Sequence, residues 1–145
     1  MRGVSFLIVA CMALLSSGCE VGPKSGIGLR LPQGDLVRGE KAFHDLGCDG
    51  CHAIVQENKS RKSAPEVVVV LGGKVAHIET HGELVTSIIN PSHGFPRRYP
   101  RLEVAEAGES KMPKFNETMT VEQLIDLTAY LQSKYKLERG SLYID

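Results

Sequence analysis

Five consecutive residues, Cys48-Asp49-Gly50-Cys51-His52, have the types and spacing of a cofactor site. Two thiols at positions i and i+3 followed directly by a histidine form a C-x-x-C-H motif, the attachment site of a c-type haem. Each thiol can form a thioether with one haem vinyl group, and His52 would then lie under the iron as its proximal ligand. The motif predicts one haem c, covalently bound through Cys48 and Cys51.

Paired cysteines also serve two other chemistries. A zinc site would need a second pair of Cys or His ligands at suitable spacing, and the chain has no further C-x-x-C. A thioredoxin-like redox pair would need a strand–helix–strand context and would not require the trailing His52. Haem is favoured over both, because the rest of the chain supplies what a haem needs.

Length, charge and cysteine positions restrict the class of protein. The chain has 145 residues and a formal net charge of zero, which allows one domain with a modest core and argues against nucleic acid as a partner. Cys11 and Cys19 lie at the N-terminus, and the other two cysteines are assigned to haem. We therefore expect no structural disulfide, and one small haem domain gives no reason to expect more than a monomer.

The N-terminal residues are typical of a bacterial secretory signal. Arg2 precedes a short apolar run, and small residues precede Cys19. Residues 15–19 resemble a lipobox, in which the cysteine is lipidated, although Ser16 stands where that motif usually has Leu. Plain cleavage with a free thiol is the alternative. We expect residues 1–18 to be a signal peptide and residues 19–34 a Gly- and Pro-containing tether.

The first predicted helix leads directly into the C-x-x-C-H motif. It begins after Asp35 as N-cap and ends at Gly47. Gly39 lies inside this helix, where glycine costs stability relative to Ala. The hypothesis that explains Gly39 is a close approach by another helix.

Two further helices are predicted from their capping boxes. One begins at Thr80 with Glu83 at the third helical position and stops before Pro91; the other begins at Thr120 with Gln123 and runs to about residue 134. Residues 67–71 are predicted to be an extended apolar segment without a strand partner, residues 91–111 a long loop, and residues 137–145 a short tail.

The order of these parts resembles the class I monohaem c-type cytochromes over residues 35–136. The resemblance rests on the following features in order: the helix with Gly39 and Phe43, the C-x-x-C-H motif, Ala64-Pro65, the middle helix, Lys111-Met112-Pro113, and the last helix with Ala129-Tyr130-Leu131. It implies a small all-α fold in which the N- and C-terminal helices cross. It also implies that the carbonyl of Pro65 accepts a hydrogen bond from Nδ1 of His52.

The sixth ligand of the iron decides between electron transfer and catalysis. Met112, next to a proline and just before the last helix, is the expected sixth ligand, because methionine is one of the axial ligands that cytochromes c use. Met112 as an ordinary core residue is the alternative, and His93 is the most credible replacement ligand. Met119 fits a hydrophobic staple better than an iron site. For the other histidines we expect local hydrogen-bonding or solvent-facing roles. We expect His44 to be exposed on the first helix.

The expected function is one-electron transfer between a redox donor and an acceptor, without substrate chemistry. The expected location is the bacterial periplasm or cell envelope, with the chain tethered to a membrane through lipidated Cys19. Alternatives are a haem peroxidase, a gas-binding sensor with a displaceable sixth ligand, or a subunit of a larger oxidoreductase. Four loop residues are expected to bind haem propionates, to face an acidic partner or simply to be solvated: Arg97, Arg98, Tyr99 and Arg101.

Overall fold

The computed structural model of the protein describes residues 29–55 and 69–138. Its helices are α1 (Leu36–Asp45), α2 (His81–Ile89), α3 (Arg101–Val104) and α4 (Val121–Ser133), with 3-10 helices at Cys48–Gly50 and Pro91–His93. Its strands are β1 (His52–Ile54), β2 (Val69–Leu71), β3 (Gly73–Val75), β4 (Ala105–Glu106), β5 (Glu109–Ser110) and β6 (Tyr135–Leu137). None of the helices in these ranges is long and apolar enough to cross a bilayer.

The all-α expectation is wrong, because the described residues form a mixed α/β structure. The strands pair into three two-stranded sheets: β1 with β2 and β3 with β6 in parallel, and β4 with β5 antiparallel. Strands of two or three residues are too short to show the period-2 pattern by which a strand is recognised. The partner of residues 69–71 was also missed, because β1 begins at the last residue of the cofactor motif and has only three residues.

The predicted helix boundaries are confirmed at their capping residues. Asp35 accepts hydrogen bonds from the backbone N–H groups of Val37 and Arg38, and Gly47 after α1 has a left-handed φ of 72°. Both predicted capping boxes are present, with Thr80 at the start of α2 and Thr120 at the start of α4. These signals are local, and therefore the sequence alone is enough to read them.

The region between α2 and α4 is not the unstructured loop that was expected over residues 91–111. It contains a 3-10 helix, α3 and the β4–β5 hairpin. Ala107 and Gly108 form the hairpin turn, both with positive φ (48° and 86°), which suits a two-residue type I′ connection. The hairpin ends at Ser110, and Met112 follows two residues later.

The helices α1 and α4 approach closely at Gly39. A Cβ atom at this position would overlap the backbone carbonyl oxygen of Asp126 and would lie 2.6 Å from Cβ of Tyr130. The hypothesis that Gly39 permits close approach by another helix is therefore confirmed. One turn later, the rings of Phe43 and Tyr130 pack with centroids 5.8 Å apart, and both residues belong to the central cluster of the core.

A buried carboxylate ties the start of α1 to α4. Asp126 is 3% exposed, and its side chain accepts hydrogen bonds from Nε of Arg38 and from the backbone N–H of Asp35, each at 2.7 Å. These two hydrogen bonds lower the pKa of Asp126 below its ordinary value, and the one from Arg38 has the larger effect. The ionised carboxylate therefore stabilises the folded state.

Replacing Gly39 by Ala is expected to destabilise the protein, because the new methyl group would overlap backbone that cannot rotate away. We expect a loss of about 3 kcal/mol, the upper part of the range for overpacked cores, measured as the urea midpoint of unfolding. Gly94→Ala is the matched control, since a Cβ there meets nothing within 4 Å and the backbone is extended. Equal midpoints for the two variants would contradict the close approach.

Replacing Asp126 by Asn is expected to destabilise the protein at neutral pH and much less in acid. Because the folded pKa is lowered, the carboxylate contributes its stability above the unfolded value of about 4 and loses it as pH falls through the folded pKa. Urea unfolding at several pH values should show wild type and variant converging below pH about 4. The exposed Glu122, 3.6 Å from Arg38, provides the control Glu122→Gln, which should change little.

Candidate haem-binding site

A single tight turn places both thiols of the C-x-x-C-H motif on one side of the chain. Gly47 ends α1, and the 3-10 helix Cys48–Gly50 follows, closed by backbone hydrogen bonds from Gly50 to Gly47 and from Cys51 to Cys48. Side chains at i and i+3 eclipse in 3-10 geometry. Cys48 and Cys51 accordingly both line the same cavity, the arrangement that two thioether bonds to one macrocycle require.

The sheet that begins at His52 fixes the orientation and the tautomer of its imidazole. The β1–β2 register pairs His52 with Val69, and Nδ1 of His52 lies 3.3 Å from the carbonyl oxygen of Val69. A carbonyl can only accept, so Nδ1 carries the proton and Nε2 keeps its lone pair. Burial is the main effect that lowers the pKa of His52, and the Val69 carbonyl opposes it.

The acceptor that the resemblance implied, Pro65, lies outside the described residues. The carbonyl that the structure provides is that of Val69, four positions later in the chain. The backbone N–H of Val69 also donates to the carbonyl of Cys51, at 2.9 Å. Val69 therefore fixes both the cysteine-bearing turn and the ring of His52. Sequence reasoning missed Val69 because the register of two short parallel strands has no local signal.

The motif faces a cavity of about 810 Å³, a volume within the usual range of about 300–1,000 Å³ for cofactor sites. Its walls are contributed by most of the elements of the described chain. They bring together all four residues predicted to bind the cofactor, namely Cys48, Cys51, His52 and Met112, and also His93. The remaining lining is largely apolar and includes Phe43, Leu84, Ile88, Phe115, Leu127 and Leu131.

The residues of this cavity fit a covalently bound haem. Two thiols on one turn match two vinyl groups, and a neutral imidazole supplies a nitrogen ligand with its tautomer already fixed. A thioether on the same cavity completes a His/Met pair, and apolar walls suit the porphyrin faces. In the described residues no group of three or more His, Cys, Asp and Glu side chains is placed to hold a bare metal ion.

Met112 is held in place by a short chain of hydrogen bonds. Its backbone N–H donates to Oγ of Ser110 at 3.1 Å, and the N–H of Ser110 donates to Oγ of Ser92 at 3.0 Å. Ser92 in turn donates to the carboxylate of Glu109 at 2.7 Å. The segment that carries Met112 is therefore connected to the 3-10 helix that carries His93.

Met119 also lines the cavity, so its location alone does not distinguish it from Met112. Its backbone N–H donates to the carbonyl of Phe115, directly before the cap of α4 at Thr120. Met119 packs against the core cluster, in agreement with its predicted role beside the helix start. Met112 lies outside that cluster, so no packing role in the core competes with its predicted ligand role.

The expectation that His44 is exposed is wrong. Its side chain is two-thirds covered, Nδ1 lies 2.9 Å from Oδ2 of Asp49, and Nε2 is buried without a hydrogen-bond partner. The side chain was placed on the outer face of α1 by helical spacing, which does not account for the turn that folds back after Gly47. His44 therefore braces the cysteine-bearing turn and does not line the cavity.

The four polar loop residues have different environments. Arg97 and Arg98 are both exposed, but only Arg98 lines the cavity, together with Tyr99. The guanidinium of Arg101 lies over the ring of Phe95, 4.6 Å from its centroid. The hydroxyl of Tyr99 accepts a hydrogen bond from the backbone N–H of Val70 at 2.8 Å. Tyr99 thus connects the loop to β2.

Comparison of the chain with protein-family models, with curated proteins and with solved structures finds no match.

The two thiols are expected to differ in reactivity when the protein is made without attached haem. Burial is the main cause that raises the pKa of Cys48 to about 11, which leaves a thiolate fraction of about 0.001 at pH 8, whereas Cys51 is exposed. Iodoacetamide should therefore alkylate Cys51 first, as followed by peptide mass mapping. In urea the two rates should converge; equal rates in the native protein would contradict the burial of Cys48.

Proposed function

We propose that this protein carries single electrons on one haem c, bound through Cys48 and Cys51 with His52 and Met112 as axial ligands. The observation that supports the proposal best is the convergence of the C-x-x-C-H turn and Met112 on one largely apolar cavity. The two parts lie far apart in the sequence and reach the cavity through different elements.

The bound haem would supply a one-electron iron couple. The residues of the cavity would supply the ligands of the iron and set its reduction potential. Nδ1–H of His52 donates a hydrogen bond to the carbonyl oxygen of Val69, which fixes the ring and leaves Nε2 for the iron. The lowered pKa of His52 keeps the imidazole unprotonated at neutral pH, so that no proton has to leave before it can bind.

Met112 would complete the coordination with an uncharged, polarisable sulfur. A thioether ligand favours ferrous iron and raises the reduction potential relative to a second imidazole. With both ligands bound, the iron would change its oxidation state with little rearrangement and would offer no site to oxygen or peroxide. The apolar lining restricts water and raises the potential in the same direction, because a low-dielectric surrounding disfavours the more highly charged ferric state.

A carrier of this kind would exchange electrons with a donor and an acceptor protein. The proposed location is the bacterial periplasm or cell envelope, with attachment to a membrane through lipidated Cys19. Residues 1–28, which carry that prediction, lie outside the described residues, and the support is therefore the signal-like composition of the sequence. The last residue of the predicted tether, Gly34, lies against Ala129 of α4.

Absorption spectroscopy of the purified holoprotein tests the proposal. We expect a low-spin spectrum in both oxidation states, no response to carbon monoxide, and the weak long-wavelength band of a methionine–ferric-haem bond. That band should be lost in Met112→Leu, which removes the sulfur and preserves apolar bulk. It should persist in Met119→Leu, the matched control on the same cavity.

Other spectra would support other functions. A high-spin wild-type protein that binds carbon monoxide would have an open iron, which favours a peroxidase or a gas sensor over a carrier. Failure of any haem to remain attached through denaturation would overturn the proposal as a whole.

A further inference from the structure

His93 resembles His52 in a feature that the other histidines lack. Nδ1 of His93 lies 2.8 Å from the backbone carbonyl oxygen of Asn90. As in His52, the carbonyl can only accept, so Nδ1 carries a proton and, in the neutral ring, the lone pair is on Nε2. A histidine that binds a metal commonly donates its other ring N–H in this way. His93 thus has the tautomer that an iron ligand requires.

The three remaining histidines are engaged elsewhere. Nδ1 of His44 pairs with Asp49, and Nε2 of His81 lies 2.7 Å from the side-chain oxygen of Gln132. Nε2 of His77 lies 3.8 Å from the carboxylate of Glu83. None of the three lines the main cavity, whereas His52 and His93 both do. All five histidines of the chain lie within the described residues.

His93 is also connected to Met112. Its neighbour Ser92 accepts a hydrogen bond from the N–H of Ser110 and donates one to Glu109, and Ser110 accepts from the N–H of Met112. Two side chains with lone pairs are thereby presented to one cavity from adjacent, mutually bonded segments. The imidazole and the thioether would compete for a single position on the iron.

The side chain of His93 is free to move without repacking the core. It is exposed, it lies where the main cavity meets a second groove formed by residues 29–31 and α2, and no side chain is packed against Gly94 at its Cβ position. Exposed side chains change rotamer in picoseconds to nanoseconds. A rotation toward the cavity would cost at most the ring's hydrogen bond to Asn90, which sets the tautomer before any rotation and is not needed once Nε2 is bound.

We infer that His93 is a reserve axial ligand, which binds the iron through Nε2 when Met112 is absent or displaced. The inference rests on the proposed function, because it requires a haem in this cavity. The exchange would break an iron–sulfur bond and form an iron–nitrogen bond. With His93 in its neutral form, neither a proton nor an electron would be transferred. The product is a bis-histidine haem with a lower reduction potential and no open site for small ligands.

Four variants of the holoprotein test the role of His93: Met112→Ala, His93→Ala, Met112→Ala with His93→Ala, and Met112→Ala with His77→Ala as the matched control. All variants are purified with the haem attached. Their oxidised and reduced absorption spectra are recorded with and without carbon monoxide, and their reduction potentials are measured. The Ala substitution leaves space above the iron, so that a second ligand is not sterically excluded.

We expect Met112→Ala to remain low-spin and closed to carbon monoxide, with a potential below that of wild type. Adding His93→Ala should make the iron high-spin and reactive to carbon monoxide, whereas adding His77→Ala should change nothing. His93→Ala alone should keep the methionine band, because the resident ligand is untouched.

Three results would overturn the inference while leaving a haem in the cavity. They are a high-spin Met112→Ala protein, a double variant that remains low-spin, and loss of the low-spin state in His93→Ala alone. The last result would make His93 the resident ligand and would also remove Met112 from the proposed function. Absence of covalently bound haem from wild type would be different, since it would reject the proposed function itself.

Discussion

The close approach of α1 to α4 is the constraint on which the rest of the structure depends. Gly39 lies so near the backbone of α4 that no side chain fits between them, and the buried carboxylate of Asp126 ties the start of α1 to the same helix. These two contacts fix α1 relative to α4, and they therefore also fix where α1 ends. The cysteine-bearing turn begins there, immediately after Gly47, so that a helix contact at one end of α1 places the thiols at the other.

The sequence predicts the parts whose signals are local. The caps of α1, α2 and α4 and the role of Gly39 can be read from a few neighbouring residues, and so can the turn formed by C-x-x-C-H. The sheets could not be predicted in this way. Strand β1 begins at His52, inside the motif, and its partner is 17 residues away, so that pairing and register depend on tertiary contacts. The all-α expectation failed for this reason, and the role of Val69 was missed with it.

The candidate site joins these local and non-local elements. The turn and its thiols belong to the local part, whereas the acceptor of His52, the hairpin before Met112 and the apolar walls belong to the non-local part. Two histidines with the same tautomer and one methionine lie on the same cavity. The sequence selects them by residue type and by position in the chain. The hydrogen bonds to Val69 and Asn90, which distinguish His52 and His93 from the other histidines, are visible only in three dimensions.

The pairing of β1 with β2 has a consequence for how this chain could vary. Val55 donates its N–H to the carbonyl of Leu71, and Val69 donates to that of Cys51, so that the chain is fastened on both sides of residues 56–68. Because the main chain makes both bonds, they do not depend on which side chains stand at residues 55 and 69. Many substitutions there would leave the imidazole of His52 in place, whereas proline at either position would remove a donor and release one end of β1.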